Sequence, residues 1–142
     1  MKVLFICHGN ICRSPIGEFV FKHLSNNRYY TESRAISNEE IGNDIYFRAR
    51  EVLIKNNIPF TKHSAKKITE EDFNNYDLIV CFDNNNLNNL HRLFGESNKI
   101  IKLVDFDIED PWYTNNFDKV YKEIYDGCNS LLDRIDSDGL HI

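Results

Sequence analysis

The stretch Val3-Leu4-Phe5-Ile6-Cys7-His8-Gly9-Asn10-Ile11-Cys12-Arg13-Ser14-Pro15 decides the fold of this chain. Its apolar start predicts a buried strand, and the residues from Ile16 onward predict a helix. Gly9 lets the intervening loop curl, because it lacks the Cβ that resists positive φ. Such a turn directs backbone N–H groups and a helix N-terminus at one point, where an anion can bind. The sequence therefore predicts an anion cradle with the thiol of Cys7 at its base.

Arg13 and Ser14 add chemistry to this cradle. A guanidinium presents a planar fork that matches two phosphate oxygens, so Arg13 is the predicted phosphate ligand. A helix N-terminus and a nearby cation favour the thiolate of Cys7, and the hydroxyl of Ser14 can stabilise it as a leaving group. An isolated Cys and Arg would more simply be a buried thiol beside a helix cap. The complete loop favours a cysteine nucleophile that attacks phosphorus.

The loop from Ile6 to Pro15 resembles the phosphate-binding loop of the low-molecular-weight protein tyrosine phosphatases. The resemblance runs from Val3 to the last predicted helix, and it implies one domain over residues 1–142. The implied fold is α/β, a three-layer sandwich in which helices flank a four-stranded parallel sheet with flavodoxin-like topology. The implied reaction is hydrolysis of phosphotyrosine through a cysteinyl-phosphate intermediate, without a metal or any other cofactor.

A second motif, Glu109-Asp110-Pro111-Trp112-Tyr113, resembles the acid loop of the same family. A departing phenolate needs a proton, which the carboxyl group of Asp110 can donate before it acts as a base toward water. Pro111 restricts Asp110 to extended backbone. An Asp-Pro pair alone more often marks a turn, but its pairing with the Cys7 loop favours general acid and base catalysis.

The resemblance assigns roles to further residues. It makes Asn10 the residue that fixes the loop backbone, and Ser33 and His63 members of the network that orients Asn10 and Ser14. His63 alone would more simply be a surface or capping histidine. Asp83 is expected either to orient Arg13 or to cap a helix. The full predicted phosphate-binding loop consists of His8, Gly9, Asn10, Ile11, Cys12, Arg13 and Ser14.

The substrate pocket departs from the family pattern. Glu39 stands about where the family often has an aromatic wall residue, so Trp112 and Tyr113 remain to stack on a substrate ring. Cys12 has two interpretations. In the family the corresponding cysteine can form a disulfide with the nucleophile, which protects it from over-oxidation, and it can equally be a packing residue.

Composition limits the possible partners. The chain has 142 residues, 42% of them hydrophobic, which suits a single core. Its net charge of −5 argues against nucleic-acid binding, because no basic stripe can replace counterions. It has no signal-peptide pattern and no apolar run long enough to span a membrane. Its 4 cysteines suit a cytoplasmic location, where thiols stay reduced. We expect a monomer that acts on phosphotyrosine-containing proteins, a tyrosine kinase among the candidates.

Hydrophobic patterning predicts alternating strands and helices. In the helix predicted over residues 44–56, Phe47, Val52 and Leu53 are expected to face the core. Parallel strands connected by helices place a site at the carboxyl ends of the strands. The predicted strands are residues 2–6, 29–36, 78–82 and 99–104, and the last predicted helix is residues 116–135.

Three alternative functions remain. A thioredoxin-coupled arsenate reductase shares the fold, but it needs a second relay cysteine, and residues 84–94 after Cys81 contain none. A protein-arginine phosphatase carries a small polar residue where this chain has Ile11, whose bulk favours an aryl phosphate. A non-catalytic phosphate-binding module is disfavoured by the presence of Cys7, Arg13 and Asp110.

Overall fold

Four parallel strands form one sheet in a computed structural model that describes residues 1–137. Residues 138–142, the end of the predicted domain, lie outside the described range. The spatial strand order is β2-β1-β3-β4, as expected for a flavodoxin-like topology. The strands are β1 (Lys2–Cys7), β2 (Tyr30–Ala35), β3 (Leu78–Cys81) and β4 (Ile100–Lys102).

Helices cover both faces of the sheet. The side chains of Val3 and Phe5 point to the face covered by α1, α2 and α6, and those of Leu4 and Ile6 point to the opposite face, which carries α4. This arrangement confirms the predicted three-layer α/β sandwich. The helices are α1 (Arg13–Leu24), α2 (Phe47–Lys55), α3 (Glu70–Asn75), α4 (Asn84–Phe94), α5 (Pro111–Thr114) and α6 (Phe117–Asp136).

Two of the local predictions were wrong. Phe47, the first residue of α2, does not face the core. The buried side of α2 consists of Ala49, Val52 and Leu53. Phe47 lies five positions before Val52, which turns it away from that side. The second error concerns the acid motif, where a loop was expected and residues Pro111–Thr114 form the short helix α5. Pro111 suits its first turn, where a missing N–H costs nothing.

Gly17 lets α1 approach the sheet closely. A Cβ at this position would lie 2.8 Å from Cδ1 of Phe5 and 3.1 Å from Cζ of Phe82. Both rings are fully buried and pack against each other with centroids 6.2 Å apart, so neither can move aside freely.

We therefore expect Gly17→Ala to destabilise the protein by about 1–3 kcal/mol through overpacking. The gain in helix propensity, about 1 kcal/mol, would offset only part of the strain. Urea unfolding measures the change, and Ser130→Ala on the exposed face of α6 is the control. A Gly17→Ala protein as stable as the wild type would show that the two rings relax.

Candidate active site

The loop between β1 and α1 surrounds the sulfur of Cys7 with hydrogen-bond donors. The backbone N–H groups of Asn10 and Ser14 donate to Sγ at 3.3 and 3.4 Å, and Oγ of Ser14 lies 3.0 Å from it. No side chain caps the N-terminus of α1, so its N–H groups are available to an anion. Donors around a sulfur stabilise its anionic form, which is the nucleophile in thiol chemistry.

Arg13 is buried beside the cradle and held in one orientation. Its Nη1 donates to Oδ2 of Asp83 at 2.7 Å and to the carbonyl oxygen of Ile108 at 2.8 Å, while Nη2 lies 3.7 Å from Oδ2 of Asp110. Burial alone would lower the pKa of Arg13, but Cys7 and the two carboxylates raise it above the ordinary value. The guanidinium therefore stays charged and does not need to be reoriented when a phosphate arrives.

Asp83 both orients Arg13 and caps a helix, the two roles that were expected as alternatives. Its Oδ2 accepts from Arg13, and its Oδ1 accepts the backbone N–H of Asn86 at 2.7 Å, which caps α4. The capping bond orients the carboxylate, and the carboxylate orients the guanidinium.

A network of polar side chains holds the backbone of the loop. The positive φ expected at Gly9 occurs at Asn10 instead, which is fully buried with φ 62°, a left-handed conformation that needs support. Its Nδ2 donates to Oγ of Ser14 at 2.8 Å and to Oγ of Ser33 at 3.0 Å. Nε2 of His63 lies 2.7 Å from the carbonyl oxygen of Asn10, and the N–H of Lys66 donates to its Oδ1 at 3.2 Å. The structure thus brings the predicted supporting residues Ser33 and His63 together at Asn10.

Glu18 belongs to this network and was missed in the sequence. Oγ of Ser33 donates to its Oε1 at 2.6 Å, and Nζ of Lys22 donates to its Oε2 at 2.7 Å. Glu18 is buried, and it stands directly before Phe19 within the apolar stretch of α1. A charged residue inside an apolar helical stretch was the available signal, since buried carboxylates are rare unless paired.

We expect Ser33→Ala to destabilise the protein by about 1–3 kcal/mol, because it leaves the amide of Asn10 and the carboxylate of Glu18 short of a buried partner. Turnover should fall as well, since Asn10 orients Ser14. Thermal unfolding and steady-state kinetics measure the two effects, with Ser130→Ala as the control. Unchanged stability would mean that water replaces the hydroxyl.

A cavity of about 50 Å³ opens above Cys7. This exceeds the roughly 10–15 Å³ that one water needs, so a phosphoryl group can enter. Glu39 lies on the rim with its Oε2 3.1 Å from Nε2 of His8, and the side chain of Glu40 lies over Gly9. The lining residues are Cys7, His8, Gly9, Ile11, Cys12, Glu39, Glu40, Asp110, Trp112 and Tyr113.

The acid motif forms one wall of this cavity. Oδ1 of Asp110 accepts the N–H of Trp112 at 3.1 Å, which caps α5 and aims the carboxyl group toward Arg13. Pro111 is buried and anchors the motif, whereas Trp112 and Tyr113 are exposed. The two rings are available to the part of a substrate that remains outside the cradle.

The other three cysteines differ from Cys7 in their surroundings. Burial raises the pKa of the Cys12, Cys81 and Cys128 thiols, that of Cys81 to about 12. For Cys12 the negative charge of Cys7 adds to the effect. At pH 7 these three groups are therefore protonated and poorly nucleophilic.

We expect one equivalent of iodoacetate to modify Cys7 alone at pH 7, because its sulfur lines the cavity and accepts two backbone N–H groups, whereas burial raises the pKa of the other three thiols. Mass spectrometry of the digested protein identifies the alkylated residue, and inorganic phosphate should slow the reaction by occupying the cradle. Equal labelling of Cys12 would contradict the assignment.

Within residues 1–137 no cluster of His, Cys, Asp and Glu side chains has the grouping needed to hold a metal ion. The same residues include no helix with the length and apolar character of a membrane span.

Comparisons with known proteins define the class. The sequence profile of the family described as low molecular weight phosphotyrosine protein phosphatase matches residues 2–140. The human protein of that name is 38% identical, over 94% of each chain. The crystal structure of SP-PTP, a low molecular weight protein tyrosine phosphatase from Streptococcus pyogenes, is 39% identical with a TM-score of 0.90, covering 94% of this chain and 93% of that one.

A second similar structure carries a different description. The Drosophila arginine phosphatase DARP is 29% identical with a TM-score of 0.87, covering 95% of this chain and 98% of that one. The fold and the thiol cradle thus define an α/β protein of the cysteine-dependent phosphatase type. The chain belongs to the low molecular weight phosphotyrosine protein phosphatase family.

Proposed function

We propose that this protein hydrolyses phosphotyrosine in protein substrates, and small aryl phosphates, through a cysteinyl-phosphate intermediate. The observation that carries the proposal is the position of Asp110, whose carboxyl group lies 3.7 Å from Nη2 of Arg13 at the edge of the Cys7 cavity. Cys7 and Asp110 both line this cavity, and Arg13 lies next to Asp110, which supports their roles as nucleophile, proton donor and phosphate ligand. Family membership supports the same reaction.

In the first step, Sγ of Cys7 attacks phosphorus and the bond to the tyrosine oxygen breaks. Asp110 donates its proton to that oxygen, so that neutral tyrosine leaves. Arg13 and the loop N–H groups bind the phosphoryl oxygens, whose negative charge they neutralise.

In the second step, Asp110 takes a proton from water, whose oxygen attacks phosphorus. The S–P bond breaks, the thiolate of Cys7 is restored and inorganic phosphate leaves. Ser14, with its Oγ 3.0 Å from the sulfur, stabilises the departing thiolate. The sulfur therefore returns to its starting state without a metal or any other cofactor.

Rapid quenching of the reaction with ³²P-labelled phosphotyrosyl peptide tests this mechanism. We expect a label that is stable in alkali and lost in acid on the peptide that contains Cys7, and phosphate release only when Cys7 is present. Two alternative substrates are compared with it, a peptide that contains phosphoarginine and free arsenate. Faster turnover of either one would replace the proposal.

Phosphoarginine is the second candidate substrate, since DARP is described as an arginine phosphatase and its fold is similar. Ile11 lines the cavity here, and its apolar side chain favours contact with an aryl ring over a cationic guanidinium. Arsenate reduction lacks support, because the thiol of Cys81 is buried and no cysteine occurs in α4.

The proposal also covers the state and the partners of the protein. Residues 1–142 form one domain, and the protein is a monomer in the cytoplasm. Its substrates are phosphotyrosine proteins that include a tyrosine kinase, and it binds neither nucleic acid nor a membrane. Cys12 resolves a sulfenic acid on Cys7 as a disulfide; the raised pKa of its thiol makes that step slow at neutral pH.

A further inference from the structure

Tyr46, at the N-terminus of α2, contacts both halves of the site. Its backbone N–H donates to the carbonyl oxygen of Ile11 in the phosphate loop at 2.9 Å. Its ring meets the ring of Trp112 edge-on, with centroids 4.8 Å apart. It also stacks on Phe117, the first residue of α6, with centroids 6.0 Å apart. One residue thus connects the loop that binds phosphate with the motif that carries the acid.

The contact with Trp112 bears directly on Asp110. The N–H of Trp112 donates to Oδ1 of Asp110 at 3.1 Å, so the position of the Trp112 backbone sets the direction of the carboxyl group. Pro111 anchors the start of the motif, but Trp112 is 48% exposed and its ring pairs with that of Tyr46, so this contact bears on the part of α5 that follows the proline. Aromatic pairs of this kind contribute about 0.5–1.5 kcal/mol beyond the area that they bury.

We propose that Tyr46 is a positioning residue, which holds the acid motif over the phosphate loop through its contact with Trp112 and thereby aligns Asp110 with the leaving oxygen. The inference rests on the proposed function. Tyr46 does not itself line the cavity, and its effect on the reaction passes through Asp110. A proton donor displaced by about 1 Å can lose a large part of its contribution, which is about 10²–10⁴-fold for general acids.

The test compares two substrates that differ in their need for a proton. Phenyl phosphate has a poor leaving group and depends on the acid, whereas 2,4-dinitrophenyl phosphate does not. We expect Tyr46→Ala to lower kcat/KM, which reports the step in which the leaving group departs, about 10-fold for phenyl phosphate and less than about 2-fold for dinitrophenyl phosphate. Tyr46→Phe keeps the ring and should behave as the wild type. Tyr30→Ala, at the opposite end of the sheet, is the matched control.

A double-mutant cycle identifies the route of the effect. When Asp110 is already replaced by Asn, Tyr46→Ala should change kcat less than about 2-fold, because its only catalytic effect passes through that carboxyl group. The inhibition constant of inorganic phosphate should stay unchanged, since the Tyr46 contact with Ile11 uses the backbone. Thermal unfolding checks each variant, and Tyr46→Leu replaces Tyr46→Ala if the latter does not fold.

Equal losses on the two substrates, or full additivity with Asp110→Asn, would overturn the inference and leave the proposed function intact. A wild-type protein that hydrolyses neither aryl phosphate would overturn the proposed function, and the inference with it.

Discussion

Cys7→Ser is expected to abolish turnover of phosphotyrosyl peptides, by ~10³-fold or more, because the hydroxyl of serine is a far weaker nucleophile than a stabilised thiolate. The donors around the sulfur remain in place, so the variant should still bind phosphate. Only bond formation to phosphorus is lost. Initial rates of phosphate release measure the first effect, and isothermal titration with inorganic phosphate measures the second.

Cys128→Ala is the matched control for this experiment. Cys128 is also fully buried, but it lies on α6, where its Sγ is 3.9 Å from the carbonyl oxygen of Gly17 and outside the cavity. Its loss should leave turnover near the wild-type level. Residual activity of Cys7→Ser above one per cent or so would contradict a covalent mechanism through this sulfur.

Asp110→Asn is expected to lower kcat for phosphotyrosine by about 10²–10⁴-fold, because an amide cannot donate the proton that the leaving phenol requires. The loss should shrink for aryl phosphates whose leaving groups are more acidic. Alkylation of Cys7 by iodoacetate should keep its rate, since Asp83 and Ile108 still orient Arg13. A plot of log kcat/KM, which reports the first step, against leaving-group pKa measures the dependence.

The control for this variant is Asp118→Asn, an exposed carboxylate on α6 that pairs with Lys55 at the surface. It should leave the leaving-group dependence unchanged. A loss of equal size for all leaving groups would contradict the role of Asp110 as proton donor. It would instead indicate that the carboxylate acts on Arg13.

The sequence was most informative where one segment carries both structure and chemistry. Val3 to Pro15 predicted a strand, a loop and the start of a helix, because the apolar run, the glycine and the helical pattern follow one another along the chain. Asp83 was placed correctly for the same reason, since it directly follows a buried strand. Local order along the chain was enough for these predictions.

The missed features depend on packing between distant segments. Glu18 joins the loop network only because α1 lies against β2 and brings it to Ser33, 15 positions away. The Tyr46 contact with Trp112 depends on how α2 meets α5. Periodicity identifies the buried face of a helix, but it does not identify the residue on the neighbouring element that a polar or aromatic side chain will meet.

The division of the site between two separate stretches of chain has an evolutionary consequence. In the proposed mechanism, phosphorus capture depends on the contiguous loop from Cys7 to Ser14, while the leaving group is protonated by Asp110, which lies far along the chain. Substitutions in the later stretch can therefore alter which phosphorylated side chain is released without disturbing the thiol. A lineage with this architecture is free to diversify its substrates while it inherits its covalent chemistry intact.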